Sequence, residues 1–378
     1  MHRIESGHFK HEGFTLAYEL HGPDQGLPVL LMHGILLDSA INRDLTGPLV
    51  EAGCRVILLD LLGHGRSDKA APTDLRNEYF AEQVVACLDH LGIDKAVVGG
   101  LSLGAIVALH VATATPQRTR GLLLEMPVME RSTVFAAILL APIVLATHYF
   151  SWVHRPIAAL IRKLPRPRSG IWESVLNTAG QEPEAIKAVL HGILVGPVVP
   201  TRRARRGIKV PALIIGHDGD WLHNVRDSKA LAEEIPNARL IFAHSFLELR
   251  TKPERLMPEI VQFLREVSGE KVVRLPLAPA TPESAADSEL RQRFDAAVEK
   301  VRDAPEVGTF KPSNEMKLKM YALYRQAQDG DVQGKRPGMM DVVARFKYDA
   351  WAALQGVSRD EAMQRYLAEI ETLEKKYA

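Results

Sequence analysis

Along the first part of the chain, short apolar runs alternate with stretches of helical spacing. Phe9–Leu20 predicts a strand pair, and Pro28–Leu31, Arg55–Leu59, Lys95–Val98 and Gly121–Leu124 predict short buried strands. Between them, Tyr79–Leu91 sets Val84, Val85, Leu88 and Leu91 at helical intervals, and Ala105–Ala112 restarts as a helix. Ala212–Ile215 and Arg239–Phe242 predict two later strands, with helices over Val225–Ile235 and Pro253–Val267. Strands alternating with helices imply an α/β fold: a mainly parallel sheet covered on both faces. Residues 126–207 break the alternation. They are helical, apolar first and basic later, and read as an insertion above the sheet.

Over 269–288 the pattern stops. Pro276, Pro279 and Pro282 stand among Ala and Ser, the composition of a partly extended linker. Beyond it four helices are predicted. The first sets Leu290, Phe294, Ala297, Val298 and Val301 on one face. The second follows Pro312-Ser313 and carries Leu318, Tyr321, Tyr324 and Arg325. The third follows Pro337-Gly338 and Asp341 and carries Phe346, Lys347, Tyr348 and Trp351. The fourth opens on the capping box Ser358-Arg359-Asp360-Glu361 and carries Ala362, Tyr366, Leu367 and Ile370.

Composition adds limits. At 378 residues the chain has room for two domains, and its formal net charge of +1 gives no global field for nucleic acid. Arg202, Arg203, Arg205 and Arg206 form a local basic run that reads as a solvated face. Cys54 and Cys87 lie in apolar patterns, as buried free thiols would. With no apolar core near Met1–Lys10 to suggest a secretory signal, the expected setting is cytoplasmic. Ser132–Val153 holds no Asp, Glu, Lys or Arg and is long enough to span a bilayer. Pro142 interrupts it, however, and Thr147, His148, Tyr149 and Ser151 make its second half polar. An apolar cap helix pair, with peripheral membrane contact through 133–161, is the expectation.

Gly100-Leu101-Ser102-Leu103-Gly104 lies between a predicted strand and a predicted helix. A serine at so sharp a turn needs small neighbours, and its hydroxyl is lifted clear of the sheet as a nucleophile. The Leu103 N–H points to the same space, and the loop His33-Gly34-Ile35 offers the Ile35 N–H as a second oxyanion donor. With Asp60-Leu61-Leu62-Gly63-His64-Gly65-Arg66-Ser67-Asp68 after the next strand, residues 1–268 resemble the α/β-hydrolase superfamily. The resemblance implies a serine hydrolase with structural roles for His33 and His64. It also implies a chain order of nucleophile, acid, histidine. Asp220 fits the acid, with Asp218 as runner-up and Glu125 as a third choice. After Asp220 only His223 and His244 remain. His244 follows the strand 239–242, the right loop for a base, but Ala243 stands where the family usually has glycine. Two readings of His244 stay open: general base, or a partly exposed loop histidine, in which case catalysis uses another base or the hydrolase is degenerate.

The last 90 residues carry a second signature. Pro312-Ser313-Asn314-Glu315, Tyr321-Ala322-Leu323-Tyr324-Arg325-Gln326-Ala327, Gly330-Asp331, Arg336-Pro337-Gly338-Met339 and Lys347-Tyr348-Asp349-Ala350-Trp351 closely resemble the acyl-CoA-binding protein family over 289–378. The resemblance implies Tyr321, Arg325, Lys347 and Tyr366 as the ligand set. Tyr324 would add stacking or a hydroxyl, and Lys311 would support the anionic head. Arg325 replaces a usual lysine and Tyr348 a usual tryptophan; the first retains charge but changes donor geometry.

Together the halves imply a serine hydrolase of fatty acyl esters or thioesters, foremost a long-chain acyl-CoA thioesterase, with no metal and no cofactor beyond acyl-CoA itself. A linker of about 20 flexible residues spans roughly 25 Å and would hold captured acyl-CoA near Ser102 at millimolar effective concentration. The alternatives are an acyl-CoA carrier or sensor whose hydrolase half is inactive or acts on an unrelated ester, and an acyltransferase.

Overall fold

The computed structural model describes residues 4–69, 75–167, 169–195, 198–217, 225–269, 285–302, 314–332, 336 and 342–377. It divides into two compact units, Met1–Val273 and Arg274–Ala378.

The first unit holds an eight-stranded sheet in the order β1-β2-β4-β3-β5-β6-β7-β8. The strands are β1 (Ile4–His11), β2 (Phe14–His21), β3 (Leu27–Met32), β4 (Cys54–Leu59), β5 (Ala96–Leu101), β6 (Thr119–Glu125), β7 (Ala212–His217) and β8 (Ala238–Ala243). β1 pairs with β2, and β2 with β4, in antiparallel fashion; β4 through β8 pair in parallel. Alternate residues of the central strands feed two cores. Leu30, Met32, Ile57, Leu59, Val98 and Ile214 face one; Val29, Leu31, Val56, Leu58, Val97 and Leu213 face the other. Burial on both faces is why these strands read as continuous apolar runs.

Helices α1 (Arg43–Glu51) and α11 (Met257–Ser268) cover the second core, while α2 (Asn77–His90), α3 (Leu103–Ala114) and α9 (Val225–Glu234) cover the first. α11 buries Met257, Ile260, Phe263 and Leu264 along one stripe and ends at Gly269, whose φ of 82° is the left-handed cap glycine tolerates. A short helix, α10 (Glu248–Thr251), follows β8. Cys54 and Cys87 are buried and outside any disulfide, and burial pushes Cys87 up to about 12.

Between β6 and β7 stand α4 (Glu130–Tyr149), α5 (Ser151–Arg162), α6 (Gly170–Ala179), α7 (Pro183–Val195) and α8 (Arg202–Arg206). Two local expectations fail here. Pro142 does not interrupt the apolar stretch: α4 runs through it. A mid-helix proline costs a hydrogen bond, but Leu140, Ile143 and Val144 around it pack on the main core. The basic run is not wholly solvated either. Arg205 is buried, donating to Glu234 (2.5 Å), Glu130 (2.8 Å) and the Pro200 carbonyl (2.6 Å). Among the described residues no helix is long and apolar enough to cross a membrane.

The second unit is built from α12 (Ala285–Arg302), α13 (Asn314–Asp329), α14 (Val342–Ala352) and α15 (Arg359–Tyr377). α12 begins four residues before the end of the expected linker. Phe294, Ala297, Leu323, Ala327, Ala362, Met363, Tyr366 and Ile370 form its core. The Ser358 hydroxyl accepts from the Glu361 N–H, as the capping box requires. Gln326 is fully buried. It donates to Asp331 and the Val357 carbonyl and accepts from the Trp351 indole, so α13, α14 and the segments that follow each of them share one polar joint.

Candidate functional site

Ser102 stands between β5 and α3 with φ 52° and ψ −103°, a conformation non-glycine residues rarely hold. Its neighbours explain how it is held. The Ser102 N–H donates to the Glu125 carbonyl (2.8 Å) and the Gly104 N–H to the His33 carbonyl (3.1 Å). A Cβ on Gly100 (φ 155°) would lie 2.2 Å from the Met32 carbonyl oxygen, and one on Gly104 would lie 2.6 Å from the same atom. The turn therefore presses against β3 with no room for larger residues. Ser102 is half-buried at the carboxyl edge of the parallel sheet, where open α/β sheets place their ligands.

Leu103 opens α3, so its N–H is one of the donors that the helix itself cannot use. Ile35 follows β3 in the neighbouring loop, which the Gly104–His33 hydrogen bond joins to the start of α3. His33 and His64 are fully buried, their rings 4.6 Å apart. The Leu61 N–H donates to His33 Nε2 (3.1 Å), so Nδ1 carries the proton and donates to the Gly34 carbonyl (2.8 Å). Burial pushes both imidazoles down, and neither is poised to take a proton.

The cap grips this loop. Asn177 donates to Asp38 (2.6 Å), and the Asp38 N–H to Ser174 (3.1 Å). Thr178 (2.5 Å) and Gln181 (3.2 Å) both donate to the carbonyl of Leu36, the residue after Ile35, whose own φ is 62°. Two side chains thus hold a strained peptide beside a candidate oxyanion donor. Thr178→Val is expected to lower kcat by roughly tenfold with KM nearly unchanged, and Thr178→Ser to restore it. A change in KM alone, or no rescue by serine, would show that the contact merely holds the cap in place.

Asp218, Asp220 and His223, which follow β7, lie outside the described residues, as does Lys311. His244 follows β8 at the same edge of the sheet as Ser102, but it is exposed. Its backbone N–H donates to Glu248, itself paired with Arg255 (2.6 Å). Glu125 ends β6 fully buried beneath the serine turn. Burial alone would raise its carboxyl, but the charge of Arg250, with His217 alongside, outweighs this and holds it at about 2. Arg250 donates to Glu125 (2.6 Å), Asn42 (2.9 Å) and the Ile41 carbonyl (3.1 Å). His217, 3.8 Å from Glu125, is buried at the end of β7. Sequence reasoning did not find Arg250 or His217. The one signal was a pair of charges, Glu248 and Arg250, in an otherwise apolar stretch.

In the second unit Tyr321 and Lys347 come together, the ammonium lying 4.9 Å from the ring centre. Arg325, one turn along α13 from Tyr321, lies over the Trp351 ring (4.6 Å) and pairs with Asp329 (2.9 Å). Tyr324 and Tyr366 flank Phe294, with ring centres at 6.4 and 5.1 Å, and Tyr366 is buried. The helices therefore gather Tyr321, Arg325 and Lys347 as a cationic, aromatic cluster, while the rings of Tyr324 and Tyr366 pack against the domain core.

Comparison with known proteins agrees with both halves. Residues 28–167 match the family model "alpha/beta hydrolase fold", and residues 291–370 match "Acyl CoA binding protein". Among solved structures, the enol-lactonase of Burkholderia xenovorans LB400 superposes with a TM-score of 0.56 at 20% identity, over 68% of this chain and 99% of that one. Acyl-CoA-binding protein homolog 3 of Caenorhabditis elegans is 43% identical over 89 residues, 24% of this chain and 77% of that protein. Acyl-CoA-binding domain-containing protein 5 of Gallus gallus is 44% identical over 81 residues, 21% of this chain but only 16% of that longer protein. The strained serine turn on a mostly parallel sheet and the tyrosine–lysine cluster on a separate bundle thus have relatives of two kinds: the chain has an α/β-hydrolase fold in its first unit and belongs, through its C-terminal domain, to the acyl-CoA-binding protein family.

Proposed function

We propose that the protein hydrolyses long-chain fatty acyl-CoA thioesters. The observation that carries this reading is a half-buried serine in a strained strand-to-helix turn, on one chain with an acyl-CoA-binding domain. Ser102 Oγ attacks the thioester carbonyl while its proton passes to His244, oriented by Asp220 or, failing that, Asp218. The Leu103 and Ile35 N–H groups receive the negative charge that develops on the carbonyl oxygen. The C–S bond breaks, the proton returns to the CoA sulfur, and CoA thiol leaves. Water then attacks the acyl-serine by the same proton route and releases the fatty acid. Lys311, Arg325 and Lys347 would meet the phosphates of CoA and Tyr321 its adenine ring, while Tyr324 and Tyr366, whose rings pack on the domain core, would offer the ligand their hydroxyls.

The test separates capture from chemistry. In the full chain, Arg325→Ala/Lys347→Ala should raise the apparent KM for palmitoyl-CoA by about ten- to a hundredfold, two charge-assisted contacts being lost. Hydrolysis of a short water-soluble ester should be unchanged. Equal effects on both substrates, or on neither, would uncouple the domains.

One observation favours a second reading. His244 is exposed, and Glu248 holds the loop there by its backbone N–H and not by its ring. If that arrangement persists when substrate binds, the hydrolase half lacks its base and the chain is an acyl-CoA carrier. Saturable binding of palmitoyl-CoA with no thiol release would decide for that reading.

A further inference from the structure

The cap carries an apolar face that does not pack on the first unit. On α5 only Ala158 is buried. Val153, Ile157 and Leu160, with Leu164 just beyond the helix, recur at helical spacing and are all exposed, Leu160 by 65%. Such a stripe normally faces a core, but here the inward side of the helix is the one bearing Ala158. Trp152 is 73% exposed, and Tyr149, Phe150 and Trp172 stand exposed on neighbouring segments. Singly these would be ordinary; together on adjoining helices they form a patch of the kind that marks an interaction site.

Charge narrows the partner. From Arg131 to Trp172 the chain has no Asp or Glu but has six bases: Arg131, Arg155, Arg162, Lys163, Arg166 and Arg168. Arg155 and Arg162 are answered by Glu184 and Glu182 from outside the segment. Lys163 and Arg166 lie exposed beside the apolar stripe. A second copy docking by two-fold symmetry would bring these same bases together with no acid of the segment to meet them. An anionic lipid surface supplies what is missing: phosphates for the bases and a water–hydrocarbon boundary for tryptophan and tyrosine, whose rings settle at that depth.

We propose that α5 and the adjoining tip of the cap, Tyr149–Arg166 with Trp172, form a peripheral docking face for anionic phospholipid membranes. The inference is independent of the thioesterase reading, since it uses none of the catalytic or acyl-CoA-contacting residues. It also moves the expected contact from 133–161 toward the end of the cap, because Leu140, Ile143 and Val144 are turned onto the main core.

Vesicle sedimentation with the full chain tests it, using phosphatidylcholine vesicles with and without phosphatidylglycerol. The wild-type protein should bind the anionic vesicles at least about tenfold more tightly than the neutral ones. Trp152→Ser/Leu160→Ser should weaken binding to anionic vesicles by about tenfold or more. Lys163→Glu/Arg166→Glu should do the same through charge alone. Trp152→Phe should keep binding but diminish the fluorescence blue shift on docking, a readout that does not depend on the double variants folding. Binding equal to wild type in both double variants, or no wild-type binding, overturns the proposal. So does a wild-type dimer in the absence of lipid that Trp152→Ser/Leu160→Ser dissociates, which would assign the face to a second copy.

Discussion

Replacing Ser102 by alanine is expected to cut thiol release from palmitoyl-CoA by roughly ten-thousandfold or more, while palmitoyl-CoA binding and the melting temperature stay near wild type. The size of the effect follows from what is removed. The covalent route needs an oxygen nucleophile at this position, and the oxyanion donors alone retain only a small residue of catalysis. The stability of the variant follows from what is kept. Alanine retains the Cβ, the N–H that donates to Glu125 and the carbonyl that receives Ile106. The strained φ of 52° is imposed by that frame and not by the hydroxyl. Binding is retained because the acyl-CoA cluster lies in the other unit. Steady-state kinetics with a thiol reagent, together with calorimetric titration of palmitoyl-CoA, checks all three. Thiol release persisting in the alanine variant would remove Ser102 from the mechanism. Loss of ligand binding would mean that the serine turn itself takes part in capture.

What could be read before the structure, and what could not, divides along one physical line. Strands buried on both faces leave continuous apolar runs, so β3 to β7 were legible to within three residues at either end, and half-buried β8 to within one. The serine turn was legible because its backbone admits only small neighbours, and Gly100 and Gly104 are the residues whose Cβ would strike Met32. The helical domain was legible through its aromatic and charged wording. Contacts between residues far apart in sequence were not. Arg250 meets a carboxylate 125 residues away, and Thr178 a carbonyl 142 residues away, and neither leaves a local pattern. Arg205 sat in a run that looks solvated, because Glu130 and Glu234 come to it from other elements. Pro142 misled in the opposite sense: a local rule for breaking helices yielded to packing on the core.

The buried pair beneath the serine turn gives the second large effect. Arg250→Met is expected to destabilise the first unit by about 3–5 kcal/mol at pH 7, because it leaves the Glu125 carboxylate buried without its counter-charge. Asn42 and the Ile41 carbonyl lose a donor at the same time. Glu125→Gln/Arg250→Met should recover part of the loss, since the coupling lies in the pair and a neutral amide has no charge to strand. The sign with pH is fixed by the depressed Glu125 carboxyl. Its folded value of about 2 lies below the ordinary value of 4.5. Its contribution in the wild type is therefore complete above the ordinary value and is lost as pH falls through about 2. Without Arg250, burial dominates and raises the carboxyl, so the variant is penalised most at neutral pH and relieved by acid. Glu19, which burial would raise but His21 and Arg43 hold at about 2, acts alike in both proteins and cancels in the comparison. The gap in melting temperature between wild type and Arg250→Met should consequently narrow as pH is lowered from 6 toward 3. Thermal unfolding followed across that range measures it. A gap that stays constant or widens would mean that Arg250 stabilises through packing and its two neutral acceptors, and not through the charge of Glu125.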